Sequence, residues 1–183
     1  MPEPFDSELV AHAQRGEVNA IGALYDQHYQ MIFRYLRARV EERQLAEDLT
    51  GEVFRRMLTG LPQYRPQGLP FRAWLFRIAH NLTIDYYRRE GDYKAVPLET
   101  AENRPEGEAD PASALEQKLM FENAYRALSE LEQSQREVLA LRFLGGLSLR
   151  ETALALNKTE DAVKALQRRG LIALRLTLTE EQK

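Results

Sequence analysis

The chain has no cysteine and only three histidines, and each scarcity removes a class of function. Without cysteine there is no disulfide framework, no thiolate metal site and no cysteine nucleophile. His12, His28 and His80 are not spaced as metal ligands, and neither a glycine-rich phosphate loop nor a nucleophile elbow occurs. We therefore expect a protein that is not an enzyme, with no catalytic residue, no cofactor and no metal site.

Long apolar runs are missing as well. No segment approaches the roughly 18 residues that span a bilayer, and the N-terminal MPEPFDSELV is acidic, unlike a secretory signal. We expect no membrane insertion and a cytoplasmic location. A chain of 183 residues that is 44% hydrophobic suits one domain or two small ones.

The net charge of −3 conceals a strong segregation of charge. Residues 61–89 carry five basic side chains and one acid, and residues 162–175 carry four basic side chains and no acid. Between them, residues 90–117 hold eight acids and two bases. Such blocks are usually solvated faces, but two basic segments also suit contacts with nucleic acid.

The acidic block also marks a domain boundary. VPLETAENRPEGEADPAS has three prolines, one glycine and no helical or strand period, so it cannot bury enough apolar surface to order itself. We predict an all-α protein in which two small helical domains, 1–93 and 113–183, are joined by a flexible acidic linker at 94–112.

Helix starts dominate the second domain. Serine and glutamate stand three residues apart at 113–116, 134–137 and 148–151, the spacing of a capping box. A further start at Thr159 is followed by two acids, which favour the positive end of the helix dipole. Gly145-Gly146 breaks the chain between two of these helices.

The last two predicted helices have helix-turn-helix proportions. SLRETALALN forms the first helix, and Val163, Leu166, Gly170 and Leu174 then lie on the inward face of the second. Asp161, Lys164, Arg168 and Arg175 share its outward face. In a recognition helix such side chains read bases or neutralise phosphates in the major groove, whereas the alternative is an ordinary helical hairpin.

A helix at 71–89 carries two stripes. Its core stripe consists of Phe71, Trp74, Leu75, Ile78, Ala79, Leu82 and Tyr86. A second stripe, flanked by arginines, consists of Phe76, His80, Thr83 and Tyr87. We expect this second stripe to face outward and contact DNA, although Phe76 and Tyr87 could equally pack under another helix.

Three segments in this order resemble an extracytoplasmic-function sigma factor, a small bacterial RNA polymerase sigma factor. They are AEDLTGEVF (46–54), FRAWLFRIAHNLTIDYYRR (71–89) and LRFLGGLSLRETALALNKTEDAVKALQRRGLIALR (141–175). The resemblance implies a region 2-like domain that binds core polymerase and the minus-ten element, and a region 4-like domain that binds the minus-thirty-five element. It also implies promoter-specific initiation and a place on the nucleoid when bound to polymerase.

The resemblance also implies partners and contact residues. The partners would be the clamp and flap regions of core RNA polymerase, promoter DNA and a possible anti-sigma factor. Core polymerase would contact Asp48, Glu52 and Arg55, on a helix whose inward stripe is Leu45, Leu49, Val53 and Met57. Minus-ten DNA would contact Tyr64, Arg77, His80, Asn81, Tyr87 and Arg88. Minus-thirty-five DNA would contact Thr159, Lys164, Arg168 and Arg175.

One departure from similar proteins is Gly51, where many carry a glutamine. A glycine inside a helix costs about 1 kcal/mol relative to alanine, so either helix stability or polymerase docking would change there. The alternative function is an autonomous helix-turn-helix regulator. That reading explains residues 134–175 but neither the helix at 43–58 nor the proline-rich loop and helix at 60–89.

Overall fold

The computed structural model of the protein describes residues 4–90 and 111–180, and side chains at 7–89 and 119–177. Throughout this part of the chain every regular element is helical, as the sequence predicts. We call residues 4–90 the first half; its helices are α1 (Pro4–Gln14), α2 (Val18–Arg39), α3 (Arg43–Gly60) and α4 (Phe71–Glu90). We call residues 111–180 the second half; its helices are α5 (Pro111–Ser129), α6 (Gln133–Leu139), α7 (Leu149–Leu156) and α8 (Glu160–Glu180). The predicted linker lies outside the described residues, apart from positions 111 and 112, which begin α5.

The first half is a bundle around α2, whose apolar face is buried along most of its length. Leu24, Ile32, Tyr35 and Leu36 of α2 are all inaccessible to solvent. The core stripes predicted for the neighbouring helices pack against them: Leu49, Val53 and Met57 of α3, and Phe71, Leu75, Ala79 and Leu82 of α4. Both stripes are confirmed.

Between α3 and α4 the proline-rich segment begins as a short 3₁₀ turn, Leu61–Gln63. Gln14 of α1 fixes the turn, since its side-chain amide donates to the carbonyls of Leu61 at 2.9 Å and Tyr64 at 2.8 Å. Gly68 follows with φ at +85°, a conformation that glycine adopts without strain. The loop therefore delivers the chain to α4 along a fixed path.

Helix starts in the second half agree only partly with the predicted capping boxes. Ser148 and Glu151 form the predicted reciprocal pair at the start of α7, and the Thr159 hydroxyl accepts from the Ala162 amide at 3.2 Å. The prediction for 134–137 is wrong. The N-cap is Glu132, whose carboxylate accepts from the amides of Ser134 and Gln135, so the cap lies two residues earlier.

Ser113 is also not an N-cap, because α5 begins two residues before it at Pro111. Proline suits the first turn of a helix, where its missing N–H would have no partner. Serine three residues before glutamate is compatible with capping but does not require it. Nearby residues that start the helix equally well decide the outcome.

The helix-turn-helix arrangement is present in α7 and α8. Asn157 ends α7 in the left-handed conformation, with φ at +53°. Val163 is fully buried, and Gly170 lies so close to α6 that an added Cβ would come within 3.0 Å of Leu139. The predicted inward face of α8 is thus confirmed. A π-helical turn, Ala140–Leu144, joins α6 to Gly145.

No helix in the described parts of the chain combines the length and apolarity needed to cross a bilayer.

Candidate nucleic-acid interface

Two residues of the second stripe of α4, Phe76 and His80, contact the second half of the chain. Phe76 and Thr83 are fully buried, which corrects the expectation that they face outward. The Phe76 ring meets Tyr35 edge-on at 5.5 Å, and a Cβ added to Gly145 would lie 2.8 Å from it. Helical periodicity identified the second stripe but not the residue that packs against Phe76, because Gly145 lies about 70 positions further along the chain. We call this contact surface between the halves the seam.

A buried ionic cluster lies at the centre of the seam. Glu137 of α6 is 6% exposed, and its carboxylate receives a hydrogen bond from the His80 ring of α4. The Arg39 guanidinium of α2, itself 3% exposed, lies 3.4 Å from the same carboxylate. Paired charges of this kind tolerate burial, whereas a single one would not. Three helices from the two halves are therefore joined by one carboxylate.

Two further arginines of α4 reach across the seam. Arg77 donates to the backbone carbonyl of Leu154 in α7. Arg72 pairs with Glu151 at 3.0 Å, and Glu151 also caps the start of α7. Burial raises the pKa of Glu151, but its hydrogen bonds from Arg72 and Ser148 outweigh that effect and lower the pKa overall. The basic face of α4 is thus occupied by groups of the first helix of the helix-turn-helix.

The other predicted minus-ten residues of α4 lie at the margin of the seam. Asn81 is exposed, and Arg88 is exposed and pairs with Asp85 at 3.1 Å. Tyr87 is 40% exposed, but its hydroxyl donates to the Arg39 carbonyl. Burial raises the pKa of Tyr87.

Tyr64 is 6% exposed and belongs to the loop rather than to an open surface. Its ring stacks on Trp74 at 4.8 Å and meets Phe71 edge-on at 5.6 Å. Its hydroxyl donates to the Leu69 carbonyl at 2.8 Å. In this arrangement Tyr64 shapes the loop and offers no free ring face for base stacking.

The outward face of α8 is open. Thr159, Lys164, Arg168 and Arg175 are all exposed. Lys164 makes a local ion pair with Asp161 at 3.3 Å. Beside them lies a groove of about 590 Å³, where Leu171, Ile172 and Arg142 join the basic side chains. Three of the four predicted minus-thirty-five residues, Lys164, Arg168 and Arg175, line this groove, whereas Thr159 lies just before α8 and caps it.

The predicted polymerase-binding residues lie together on the exposed side of α3. Glu52 pairs with Arg55 at 2.6 Å and with Arg56 at 2.9 Å. The hydrogen bond from Arg55 holds the pKa of the Glu52 carboxyl at about 2. Asp48 is exposed one turn earlier, and open space surrounds the position of a Cβ on Gly51.

Sequence reasoning missed the residues that bind the two halves together. Arg39 belongs to none of the predicted sites, and Glu137 was assigned to a helix cap. Nothing in the local pattern marks either residue as buried, because the burial of each depends on the other. In the parts of the chain that the structure describes, no three histidine, aspartate or glutamate side chains gather as metal ligands.

Comparison with known proteins places both halves in one family. The sigma-70 region 2 family matches residues 24–92, and the sigma-70 region 4 family matches residues 127–176. BldN of Streptomyces coelicolor, an ECF RNA polymerase sigma factor, is 37% identical over 174 residues, which cover 95% of this chain and 66% of BldN. SigD of Mycobacterium tuberculosis, another ECF RNA polymerase sigma factor, is 36% identical over 171 residues, which cover 91% of this chain and 81% of SigD.

Two solved structures share the fold. CnrH, in complex with the cytosolic domain of CnrY, has a TM-score of 0.73 at 24% identity and covers 96% of this chain and 97% of its own. The sigma factor RpoE of Bartonella quintana, in complex with the anti-sigma factor NepR, has a TM-score of 0.69 at 20% identity, covering 88% of this chain and 98% of its own. The two matched regions contain α3, α4, α6 and α7 and most of α2 and α8. The chain therefore belongs to the ECF RNA polymerase sigma factors, which direct core polymerase to promoters.

Proposed function

We propose that this sigma factor divides promoter recognition between its halves. The first half binds the polymerase clamp and the minus-ten element, and the second half binds the minus-thirty-five element and the polymerase flap. The observation that carries the proposal is the open basic face of α8, which follows a helix-turn-helix turn. Basic residues on such a face suit phosphates and base edges in a major groove.

Within the second half, Lys164 and Arg168 are the candidates for reading the minus-thirty-five element. They stand one turn apart near the start of α8, where a recognition helix meets base edges. Arg175 lies two turns further along α8 and is a candidate for a phosphate contact. Thr159 caps the start of α8 and is a candidate for contact with the DNA backbone. A base contact and a phosphate contact differ in their sequence dependence and in their salt dependence.

Within the first half, the candidates for minus-ten contact are Arg77, His80, Asn81, Tyr87 and Arg88, with Tyr64 in the loop before them. Arg77 and His80 now bond to the second half, so they become available to DNA only if the halves separate. We infer that the described arrangement is a closed form and that promoter recognition requires an open one. Tyr64 would have to leave its stack on Trp74 to contact a base.

Polymerase would dock on the exposed side of α3. Asp48 and Glu52 present acidic groups there, while Arg55 shields one of them. The acidic linker at 94–112 would follow a basic path in polymerase that is built for nucleic acid. An anti-sigma factor is a further candidate partner. The RpoE structure contains the anti-sigma factor NepR, and the CnrH structure contains the cytosolic domain of CnrY. These roles place the protein in the cytoplasm, on the nucleoid when it is bound to polymerase, and they require no catalysis.

The primary test is run-off transcription by core polymerase that lacks a specificity subunit. We expect initiation at defined promoters only when the chain is added. An autonomous helix-turn-helix regulator would instead bind duplex DNA without core polymerase and would fail to support initiation. That second result would overturn the proposal.

Asn81 offers a clean test of the minus-ten surface, because it is exposed and its replacement should leave the fold intact. Asn81→Ala should bind duplex minus-thirty-five DNA normally and open duplex promoters poorly, as measured by permanganate footprinting. Asn19→Ala is the matched control, since Asn19 is an exposed asparagine of α2 on the same half. Parental opening rates for both variants would remove Asn81 from the site. On a premelted template, a defect that disappears would indicate a role in melting, and one that persists would indicate base reading.

Separation of the halves can be measured directly, because the chain has no native cysteine. Labels at Val18→Cys and Met120→Cys would report on the first and second half, since both side chains are well exposed. We expect the distance between the labels to increase when the chain joins core polymerase. An unchanged distance in the holoenzyme would contradict the closed-to-open change.

A further inference from the structure

A cleft of about 210 Å³ opens on the seam where α2 meets α5 and α6. Four arginines line it, two from each half: Arg37 and Arg39 of α2, Arg126 of α5 and Arg136 of α6. The cleft is remote from the groove beside α8, with which it shares no lining residue. None of these four arginines belongs to the surfaces proposed above for DNA or polymerase.

Two of the four guanidinium groups have a buried N–H without a partner. Arg39 donates to the Gln133 carbonyl at 3.3 Å and lies 3.4 Å from Glu137, yet its Nε is buried and unpaired. Arg136 donates to the backbone carbonyls of Ser129 and Leu131, and its Nε is likewise buried and unpaired. Buried donors are nearly always satisfied, so two such groups on adjoining helices point to a missing acceptor.

The charge around the cleft is also incompletely balanced. Glu122 pairs with Arg37 at 3.2 Å, and Glu137 is committed to the cluster with Arg39 and His80. The remaining lining charges are Arg126 and Arg136, against the exposed carboxylate of Glu41 at the rim. Within the described residues, neither Arg126 nor Arg136 forms an ion pair with a carboxylate.

The surroundings of Arg136 agree with this charge imbalance. Burial lowers the pKa of Arg136, and the positive charge of Arg39 lowers it further. Two guanidinium groups from opposite halves therefore repel each other across the cleft. An anion bound between them would reduce that repulsion.

We propose that the cleft binds a small phosphate-bearing anion, with Arg136 and Arg39 as its central contacts and Arg126 at its entrance. The planar guanidinium fork matches the oxygens of phosphate and binds them through charge-assisted hydrogen bonds. Phosphate is favoured over a simple halide because its separate oxygens can match the guanidinium fork and bridge two guanidinium groups, whereas a halide offers a single atom. Glu41 and Glu122 at the rim favour a compact ligand over a long polyanion.

The position of the cleft gives this ligand a regulatory consequence, which rests on the proposed opening of the halves. Because α2 supplies two of its arginines and α5 and α6 supply the others, the complete site exists only in the closed form. A ligand that binds one form selectively shifts the equilibrium toward that form. Anion binding and polymerase binding would then oppose each other, and the coupling would be reciprocal.

Isothermal titration of the full chain with inorganic pyrophosphate, at constant ionic strength set by sodium chloride, tests the site without polymerase. We expect saturable binding with one site per chain and at least tenfold weaker binding for Arg126→Gln and Arg136→Gln. Arg150→Gln is the matched control, since this exposed arginine lies on α7, away from the cleft, and should bind like the parent. Arg126 is also exposed, so its replacement should keep the fold even if the loss of Arg136 disturbs it.

Absence of saturable binding, or parental affinity in both cleft variants, would overturn the proposal. A short single-stranded oligonucleotide distinguishes the other source of phosphate groups. If the oligonucleotide binds in an Arg136-dependent manner and pyrophosphate does not, the cleft contacts nucleic acid and the small-anion proposal is wrong. Because these titrations contain no polymerase, their outcome is independent of the transcription assay.

The labels at positions 18 and 120 then test the regulatory consequence. For the parent, pyrophosphate should raise the polymerase concentration that is needed to increase the distance between the labels. For Arg126→Gln, pyrophosphate should leave that concentration unchanged. Equal opening with and without pyrophosphate would overturn the coupling even where binding itself is observed.

Discussion

The two candidate DNA-reading helices have similar chemistry and opposite surroundings. On α4, Arg77 and His80 bond to a carbonyl and a carboxylate of the second half. On α8, Lys164 and Arg168 lie on an exposed face. The difference shows that the residues of a basic stripe determine what a surface can bind, whereas the tertiary arrangement determines whether that surface is accessible. In this protein the candidate minus-ten residues Arg77 and His80 are covered by the second half, while the candidate minus-thirty-five residues of α8 are exposed.

The covered face should respond most strongly to the loss of Glu137. Glu137→Ala removes the carboxylate that pairs with Arg39, which would leave that guanidinium buried with an uncompensated charge. Breaking a buried pair in this way costs about 3–5 kcal/mol. We expect that decrease in the free energy of unfolding, measured by urea denaturation.

Glu8→Ala provides the control for this loss, because Glu8 is an exposed glutamate of α1. Its replacement should change the free energy of unfolding by no more than about 0.5 kcal/mol. If Glu137→Ala were as stable as Glu8→Ala, the ionic cluster would not hold the seam.

The next prediction compares the two helices by DNA binding. Arg168→Ala should weaken binding of the full chain to minus-thirty-five duplex DNA by about 1–3 kcal/mol if Arg168 makes a bidentate base contact. A phosphate contact would instead give an equal loss on all sequences and a shallower dependence on salt. Fluorescence anisotropy over a salt series separates the two cases.

Arg77→Ala is the counterpart on the covered helix. Since Arg77 is bonded to Leu154 within the seam, its loss should leave minus-thirty-five binding unchanged. Comparable losses for Arg77→Ala and Arg168→Ala would show that the two faces do not differ as the structure indicates.

Substitutions at two glycines compare a covered position with an open one. A methyl group on Gly145 would come within 2.8 Å of Phe76, so Gly145→Ala should destabilise the protein by about 1–3 kcal/mol through overpacking. A methyl group on Gly51 would meet open space within α3, so Gly51→Ala should stabilise the protein by up to about 1 kcal/mol. Thermal unfolding of both variants should therefore show shifts of opposite sign. Shifts of the same sign would contradict this account of the two positions.

The sequence predicted individual helices far better than it predicted the surface between the halves. Core stripes such as Leu49 and Val53 on α3 follow from helical periodicity, which is a local property. Burial of Phe76 follows from Gly145, and burial of Arg39 follows from Glu137, so both depend on residues distant along the chain. Glu137 also satisfied a capping pattern, which concealed its role in the seam. The exposed face of α8 was predictable because Lys164, Arg168 and Arg175 recur at helical spacing, which is a local property.

The smallest expected effect concerns the pH dependence of the seam. Glu151 has a lowered pKa because its hydrogen bonds from Arg72 and Ser148 outweigh its burial. A carboxyl whose pKa is lower in the folded protein adds stability above its unfolded pKa, near 4.5, and loses that stability as pH falls through the folded value.

Glu151→Gln keeps the capping geometry, since glutamine also serves at this position of a capping box, but it removes the charge that pairs with Arg72. We expect the variant to be less stable than the parent at pH 7 by no more than about 1 kcal/mol, because the pair is partly solvated. The difference should shrink below pH 4.5 in urea titrations. Ser148→Ala removes the capping hydroxyl and its contribution to the lowered pKa of Glu151, but it leaves the charge and the pair with Arg72, so it should retain a reduced pH dependence. If Glu151→Gln retained the parental pH dependence, the charge of Glu151 would contribute nothing to the closed form.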